Sequence, residues 1–447
     1  MSQAPKTVIG YLPDERPPIW KLIFFALQQI LVMFPATVLV AMLTGFHVST
    51  TIFASGLSTL CFLLVTRGKI PLYYGSSFSY IVAIASITGV KGVVTFGVAS
   101  SDILIGQAQF GIIMSGLVSI VAGLIINFFG PEKIEFVLPP TVTGSIAIVI
   151  GISLAGTAIT GAAGTTSGAA SNNTAWIIAI VTLLATVLFS VYLKGTLGQL
   201  PILFGILVGY ALAASLGVID FTKIFTGPFV APPHFTLPVA NWGAVAAIMP
   251  IAIATIPEST AHLYQLDIYV DHLAQEKGKK PYGIKNRLGM NLIGDGIGDI
   301  VSSLFGGPAG TNYGENLSTM AITRNFSVPV LAAAAVITML ISFFTPLSNL
   351  VNSIPGSVIG GVSIYLFGII GAQGIAIMIN RKVDLFDSRS LAVIATILVI
   401  GLGGNYGFAG GMIPFFGMQL PAIATAALVG IVLNLLLSIG RKKEQTA

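Results

Sequence analysis

Charged residues are scarce in this 447-residue sequence: Asp, Glu, Lys and Arg together make up 8% of it. A soluble domain carries about 25%. With 55% hydrophobic residues and a mean hydropathy of +0.93, most of the surface is expected to face lipid. One cysteine, Cys61, excludes an intrachain disulfide, and in its apolar stretch it reads as a small buried hydrophobe. The sequence also lacks any metal-ligand cluster, phosphate loop or nucleophile–base spacing, so no enzyme, metal site or cofactor is expected. The polar, Pro-rich start "MSQAPKTVIGYLPDERPP" offers no apolar core for a cleavable signal peptide. A net charge of +5 invites a nucleic-acid partner. The positions of the charges argue against one.

A helix needs about 20 apolar residues to cross a bilayer. Continuous candidates fall at 20–44, 48–66, 107–129, 137–155, 175–193, 197–217, 241–264, 288–304, 328–350, 356–379, 388–403 and 418–438. Two shorter, broken stretches at 71–88 and 308–323 bring the reading to fourteen crossings. Both termini then lie on the cytoplasmic side, where lysine and arginine concentrate. Of the 21 basic residues, all but Lys91 and Lys223 fall inside, among them Arg16, Lys21, Arg67, Lys69, Arg381, Lys382, Arg441, Lys442 and Lys443. The basic loop "EKGKKPYGIKNR" is thus read as a topology determinant, and "GTAITGAAGTTSGAASNNT" as a flexible outer loop.

The halves echo each other. Tyr74-Gly75-Ser76-Ser77-Phe78 in the third crossing parallels Tyr313-Gly314-Glu315-Asn316-Leu317 in the tenth, and Pro139–Gly144 parallels Pro355–Gly360. Seven crossings is an odd number, so the two repeats enter the membrane from opposite sides. The expected fold is an all-α polytopic membrane protein of two inverted seven-segment repeats, with segments 3 and 10 broken into an extended stretch and a half-helix. Broken helices at matching positions point to a transporter's binding site near the midplane.

Four acidic residues fall within crossings: Glu258, Asp295, Asp299 and Glu315. An ionisable group there costs roughly several kcal/mol and is a functional candidate by default. Glu258 precedes Asp267 by nine residues and Glu315 precedes Arg324 by nine. If Asp267 and Arg324 mark inner helix ends, both carboxylates sit about 13 Å deep. A carboxylate in a poorly hydrated cavity can hold a proton and release it when the site opens. His262, one turn after Glu258, either joins that proton traffic or supports Glu258, or the two only hydrogen-bond neighbouring helices. Gly306, Gly307, Pro308, Gly310 and Gly314 oppose a continuous helix before Glu315. The half-helix that follows offers free backbone N–H groups to a ligand carbonyl. Pro71 and Gly75 repeat the break before Ser76, Ser77 and Phe78, and the Phe78 ring suits a small flat heterocycle. Asp295 and Asp299, four apart on one face, either bind a cation or hydrogen-bond the broken backbone, and the second reading is favoured. His47, His234 and His272 fall in loops and receive no role.

The segment Glu315-Asn316-Leu317-Ser318-Thr319-Met320-Ala321-Ile322-Thr323-Arg324 resembles the signature of the nucleobase–ascorbate transporters: Gln, Glu or Pro, then Asn-x-Gly-x4-Thr, then Arg, Lys or Gly. The likeness extends to "KIPLYYGSSFSYI", "TIPESTAH" and "SVIGGVSIYLFGIIGAQGI", nearly the whole chain, and is nearest to the bacterial uracil:proton symporters. It implies a core domain (1–130 and 240–352) and a gate domain (131–239 and 353–447) in an inner-membrane homodimer, moving core against gate like an elevator. It further implies substrate contacts from Glu258, Glu315, Phe78, Gly314, Tyr313 and Ser77, with Glu258 and His262 coupling protons. Asn316, Ser318, Thr323, Arg324, Gln29, Asp295 and Asp299 would support them. Glutamate at the motif's first position looks like the uracil branch. Ser318 replaces the motif glycine, and Gln29 stands where relatives often have histidine. A xanthine or uric acid permease is the alternative; an anion exchanger of the same fold is disfavoured by two glutamates with no midplane Arg or Lys.

Overall fold

A computed structural model of the chain describes residues 10–90, 99–130, 136–165, 172–416 and 418–439. Lys91, the tail basic residues Arg441, Lys442 and Lys443, and residues 166–171 of the small polar loop lie outside them. In chain order, α1 (Ile19–Thr44) and α2 (Val48–Val65) lead to a short strand, β1 (Tyr74–Ser76). A 3-10 turn at Phe78–Tyr80 then enters α3 (Ile81–Thr88). After it come α4 (Asp102–Phe129), α5 (Pro140–Ser153), α6 (Ala155–Ala163), α7 (Asn173–Tyr192) and α8 (Pro201–Ser215). The second half runs α9 (Trp242–Ile248), α10 (Ile251–Glu276), α11 (Leu288–Leu304), β2 (Gly310–Asn312), α12 (Gly314–Thr323), α13 (Val328–Ile341) and α14 (Thr345–Asn352). It ends with α15 (Gly356–Asn380), α16 (Ser388–Leu398), a hairpin of β3 (Met412–Phe415) and β4 (Met418–Pro421), and α17 (Ala422–Leu436).

Among the described residues, 8 helical spans are long and apolar enough to cross a membrane, α5–α6, α9–α10 and Ser388–Gly407 each counting as one. The remaining stretches counted from the sequence fall on the shorter elements α3, α8, α11, β2–α12, α13 and α17. These spans are apolar on the outside. On α7, Ile177, Ile180, Leu184, Leu188 and Val191 are exposed at helical spacing, whereas Thr182 and Thr186 are buried against Gly205 and Gly209 of α8. A helix in water shows the opposite pattern. Helices in lipid gain little from burying leucine and associate through small residues that allow close backbone approach. The crossing of α4 with α11 depends on this: a Cβ on Gly116 would stand 2.6 Å from the Gly296 oxygen, and one on Gly296 2.3 Å from the Gly116 oxygen. Helices α2 and α13 pack together as α4 and α11 do, each pair joining one helix from each half of the chain.

Four boundaries differ from the sequence reading. Helix α10 runs on to Glu276, so Asp267 does not mark its end; the Asp267 carboxylate is buried and accepts the Lys285 N–H at 3.0 Å. The expected outer loop begins as helix α6, whose small residues let Ala162 pack against Gly360. The expected crossing at 328–350 is divided between α13 and α14, the second starting with Pro346 in its first turn. The start of the last one is a hairpin, and its helix begins only after Pro421.

The two breaks pair with each other. Strands β1 and β2 are antiparallel, in the register Tyr74–Asn312, Gly75–Thr311 and Ser76–Gly310. Beyond the strands, Ser77 N donates to Ala309 O at 2.9 Å and Tyr313 N to Tyr73 O at 2.9 Å, two bonds in equivalent places on the two repeats. Asp299 on α11 accepts the Gly310 N–H and the Tyr74 hydroxyl, each at 2.7 Å. Asp295, one turn earlier, accepts from Asn312 Nδ2 at 2.8 Å and from the Ser259 hydroxyl. Asn291 Nδ2 donates to Ser259 at 2.6 Å, and Thr59 Oγ1 and Ser55 Oγ donate to Tyr74 O at 2.9 and 3.0 Å.

At the basic end, the segment before α1 is clasped to the second repeat. Tyr11 N donates to Arg324 O and Phe326 N to Tyr11 O, each at 2.8 Å. Lys277 Nζ meets Glu15 at 2.6 Å and Gly10 O at 2.7 Å, while Lys279 meets Glu15 at 2.9 Å. The loop read as a topology determinant is therefore also a structural clasp. Burial opposes ionisation of Glu15, but hydrogen bonds from Lys277, the Leu12 N–H and Lys279 outweigh it and bring the carboxyl from 4.5 to about 2. A depressed folded-state value stabilises the fold above the unfolded value near 4.5, and that stabilisation is lost as the pH falls towards 2.

Glu15→Gln is accordingly expected to lower the melting temperature of the detergent-solubilised chain by about 1–3 °C at pH 7. The gap to the parent should close as the pH falls from 4.5 towards 2; a gap that persists there would show that the carboxylate charge is not what matters. Asp299→Ala should destabilise the fold by about 1–3 kcal/mol, because the Gly310 N–H is left buried without an acceptor. Denaturant titration of the two proteins measures this, and equal stability would refute the bracing role.

Candidate functional site

The paired strands leave two helix starts inside the bundle. Tyr313 is the N-cap of α12 and Ser77 that of the turn into α3, and neither cap is closed by a side chain. The first intrahelical bond of α12 joins Leu317 N to Tyr313 O at 3.1 Å, so the amides before it point out of the helix end. On α10, Pro257 directly precedes Glu258 and, lacking an N–H, leaves the carbonyl four residues back without its helical donor.

Glu315 sits in the first turn of α12, where the helix dipole favours a negative charge, and it is half-buried. Glu258 is also half-buried and accepts a hydrogen bond from the Ser79 hydroxyl at 3.3 Å. Glu258 on α10 and Glu315 on α12 both belong to the second half of the chain, on two helices that are in contact. Gly314 makes room for His262: a Cβ there would stand 2.8 Å from His262 Nε2. The His262 ring hydrogen-bonds the Asn312 backbone, and its Nδ1 is buried without a partner. His262 thus faces the start of α12, and no hydrogen bond joins it to Glu258. Phe78 is half-buried at the head of the turn into α3, and Ser77 is fully buried with its hydroxyl unpartnered.

The other expected residues brace this arrangement. Tyr313 is buried, and its hydroxyl donates to Ser76 O and shares a bond with Thr37, each at 3.0 Å, so its side chain ties α1 to β1. Asn316 Nδ2 donates to Gln29 Oε1 at 2.7 Å and to Gln29 O at 2.9 Å, so Gln29 anchors α12 on α1. Ser318 is half-buried one turn further along α12. Thr323 Oγ1 bonds Thr319 O within the helix at 2.8 Å. Arg324 ends the helix with φ 55° and pairs with Glu276 at the end of α10. Asp295 and Asp299 are engaged by the strands as described.

The sequence reading did not include Ser79, Ser259, Asn291 or Asn312. Ser79 lies one residue beyond the stretch matched between repeats, and serines and asparagines in crossings are too common to single out. Their common signal is position: each faces a break. A further cluster of His47, Asp102 and His234 assembles at the opposite end of the bundle from the basic clasp. Together, the break presents two carboxylates that accept N–H groups, helix amides that donate to carbonyl oxygens, and an aromatic ring. This suits a small, neutral, flat ligand with both kinds of polar edge.

Comparison with known proteins agrees with the architecture. The transmembrane domain of a cyanobacterium bicarbonate transporter, BicA, superposes with a TM-score of 0.57 at 14% identity, over 93% of this chain and 96% of that one. The structure of SLC26A9 does so at 0.64 and 10% identity, over 96% of this chain and 68% of that one. At such identities the likeness is one of fold. In sequence, the chain is 39% identical over 431 residues to a uracil permease of Bacillus caldolyticus, covering 95% of this chain and 94% of that one. It is 35% identical over 448 residues to a uracil permease of Bacillus subtilis (98% and 97% covered) and over 440 residues to one of Escherichia coli K12 (96% and 95%). Residues 20–410 match the model of the xanthine/uracil permeases, described as the Permease family. The chain is a multi-pass membrane protein that belongs to this Permease family.

Proposed function

We propose that the chain imports a nucleobase, uracil, by proton symport. The observation that carries the reading is that Glu258 on α10 and Glu315 at the uncapped start of α12, on two helices in contact, are both partly accessible. Uracil presents ring N–H donors and carbonyl acceptors and no charge. Glu258 and Glu315 accept the N–H groups, the amides of α12 near Gly314 and the Ser77 hydroxyl serve the carbonyls, and Phe78 stacks on the ring. Glu258 carries the proton, with His262 holding the start of α12 in place. The names of the relatives support uracil as the substrate. Tyr313 acts by positioning rather than by touching the base, since its hydroxyl is already bonded on both sides.

In this reading the chain has fourteen crossings and cytoplasmic termini in a bacterial inner membrane, and works as a homodimer. Segments 1–4 and 8–11 form the core that moves against a gate of segments 5–7 and 12–14. The basic clasp of Lys277, Lys279 and Arg324 lies on the cytoplasmic side, in keeping with the excess of positive charge there. The fold relatives include a bicarbonate transporter, but among the described residues no lysine or arginine is buried to neutralise an anion beside the two glutamates.

Uptake of radiolabelled uracil into proteoliposomes, with xanthine and uric acid competing and with or without a pH gradient, tests the proposal. Saturable uracil uptake driven by an inward proton gradient is expected; xanthine uptake indifferent to excess uracil would move the chain to the purine permeases. Glu315→Ala should weaken uracil binding roughly 10–100-fold, the worth of a charge-assisted hydrogen bond, while inserting normally. Glu258→Gln should abolish gradient-driven accumulation, and its retention would exclude Glu258 as the proton carrier.

A further inference from the structure

Three residues that have had no role so far come together at the end of the bundle away from the basic clasp. His47 caps α2, Asp102 opens α4, and His234 lies in the extended link between the turn at Phe221–Lys223 and α9. His234 Nε2 stands 3.1 Å from both Asp102 oxygens, and His47 Nε2 stands 3.7 Å from Asp102 Oδ1. The ring centroids of the two histidines are 4.2 Å apart, tilted by 43°. One donor atom from each residue lies within 4.8 Å of the others.

A plain His–Asp pair explains only part of this. His234 and Asp102 satisfy each other, but His47 Nε2 is enclosed and has no hydrogen-bond partner, although it points to the same carboxylate. An enclosed imidazole nitrogen left without a partner is costly unless something else fills its lone pair. The ligands of a tetrahedral zinc ion, at bond lengths of about 2.0–2.1 Å, stand roughly 3.3 Å apart. The separations of 3.1 and 3.7 Å bracket that spacing. The backbone around the cluster is fixed independently of it. Thr50 Oγ1 donates to His234 O at 2.7 Å, Gln109 and Thr236 bond each other twice at 3.0 Å, and Val239 N donates to Gly106 O at 2.8 Å. The link carrying His234 is therefore laid along α2 and α4 before any ion is considered.

We propose that His47, Asp102 and His234 form a binding site for a transition-metal ion of the zinc class, with water in the fourth position. Two imidazoles and one carboxylate favour such an ion over Ca2+ or Mg2+, which take oxygen ligands. Bound there, the ion joins the starts of α2 and α4 to the link before α9 and so staples that link to the bundle. In the orientation proposed above, the site opens to the outside of the cell.

The test uses the purified, tag-free full chain in detergent. Calorimetry with Zn2+ should show one ion per chain with an affinity in about the micromolar range or tighter, and Co2+ should give the absorption of a tetrahedral site that Zn2+ displaces. Zn2+ should also raise the melting temperature of the parent. His234→Ala and Asp102→Asn should each weaken binding at least about tenfold and lose the thermal shift. His234 is half exposed, so its variant is expected to fold even if a His47 variant does not. His272→Ala, at the other end of the bundle beside Glu276, should bind Zn2+ like the parent. Zn2+ binding that survives both His234→Ala and Asp102→Asn, or preferential binding of Ca2+, would overturn the proposal.

Discussion

A backbone amide inside a bilayer has no water to turn to, and every other feature of this fold's interior follows from how two broken segments meet that constraint. Neither three-residue strand can satisfy itself, and neither could exist at that depth alone. They satisfy each other, through three register pairs and the equivalent bonds from Ser77 to Ala309 and from Tyr313 to Tyr73. Polar side chains take up what is left: Asp299 for Gly310, and Ser55 with Thr59 for Tyr74. A large share of the buried polar inventory of α2 and α11 is thereby spent on the breaks. Shielding them is what the inverted repeat supplies, because only a second copy entering from the other side gives each strand an antiparallel partner.

The site is what that pairing does not consume. The aspartates and glutamates of the bundle are chemically alike, but their surroundings divide them. Asp295 and Asp299 are engaged by Ser259, Asn312, Tyr74 and the Gly310 amide, and so are held in one geometry. Glu258 receives one bond, from Ser79, and Glu315 stands at a helix start with no side chain upon it. At the two breaks, Ser77 Oγ, Asn312 Oδ1 and His262 Nδ1 remain without partners. Buried polar atoms left over in this way are expensive unless a ligand meets them. Ser77 at the start of one broken segment and His262 facing the start of the other are among them, which makes this place the candidate site.

How much of this the sequence displayed depended on contrast. Glu258, Glu315 and the glycine–proline run before Glu315 were legible because a charge or a helix breaker in an apolar stretch has few innocent explanations. The strand and half-helix after each break followed from Pro71, Pro308 and the glycines. Helix ends were less visible: Asp267 looks like an interfacial charge, but its partner is the Lys285 amide, which only the folded chain brings near. The Ser259–Asn291–Asn312 network was hidden for a different reason. Serine and asparagine are ordinary in crossings, and their importance comes from facing a strand that is distant in sequence. The cluster of His47, Asp102 and His234 was hidden most completely, since its members come from three separate connections and no local spacing joins them.

A fold does not by itself fix the cargo. What differs from chain to chain is the side chain set at the helix starts. A helix start attracts negative charge, so an empty version of this site would favour an anion. Glu315 in the first turn of α12 occupies that favourable position with the protein's own charge, and Glu258 adds a second. A free anion would then meet repulsion where the bare fold offers attraction. A neutral molecule with N–H groups meets acceptors instead, and the remaining amides still find its carbonyls. In the proposed reading, the two glutamates therefore favour a neutral heterocycle with N–H groups over an anion at these helix starts.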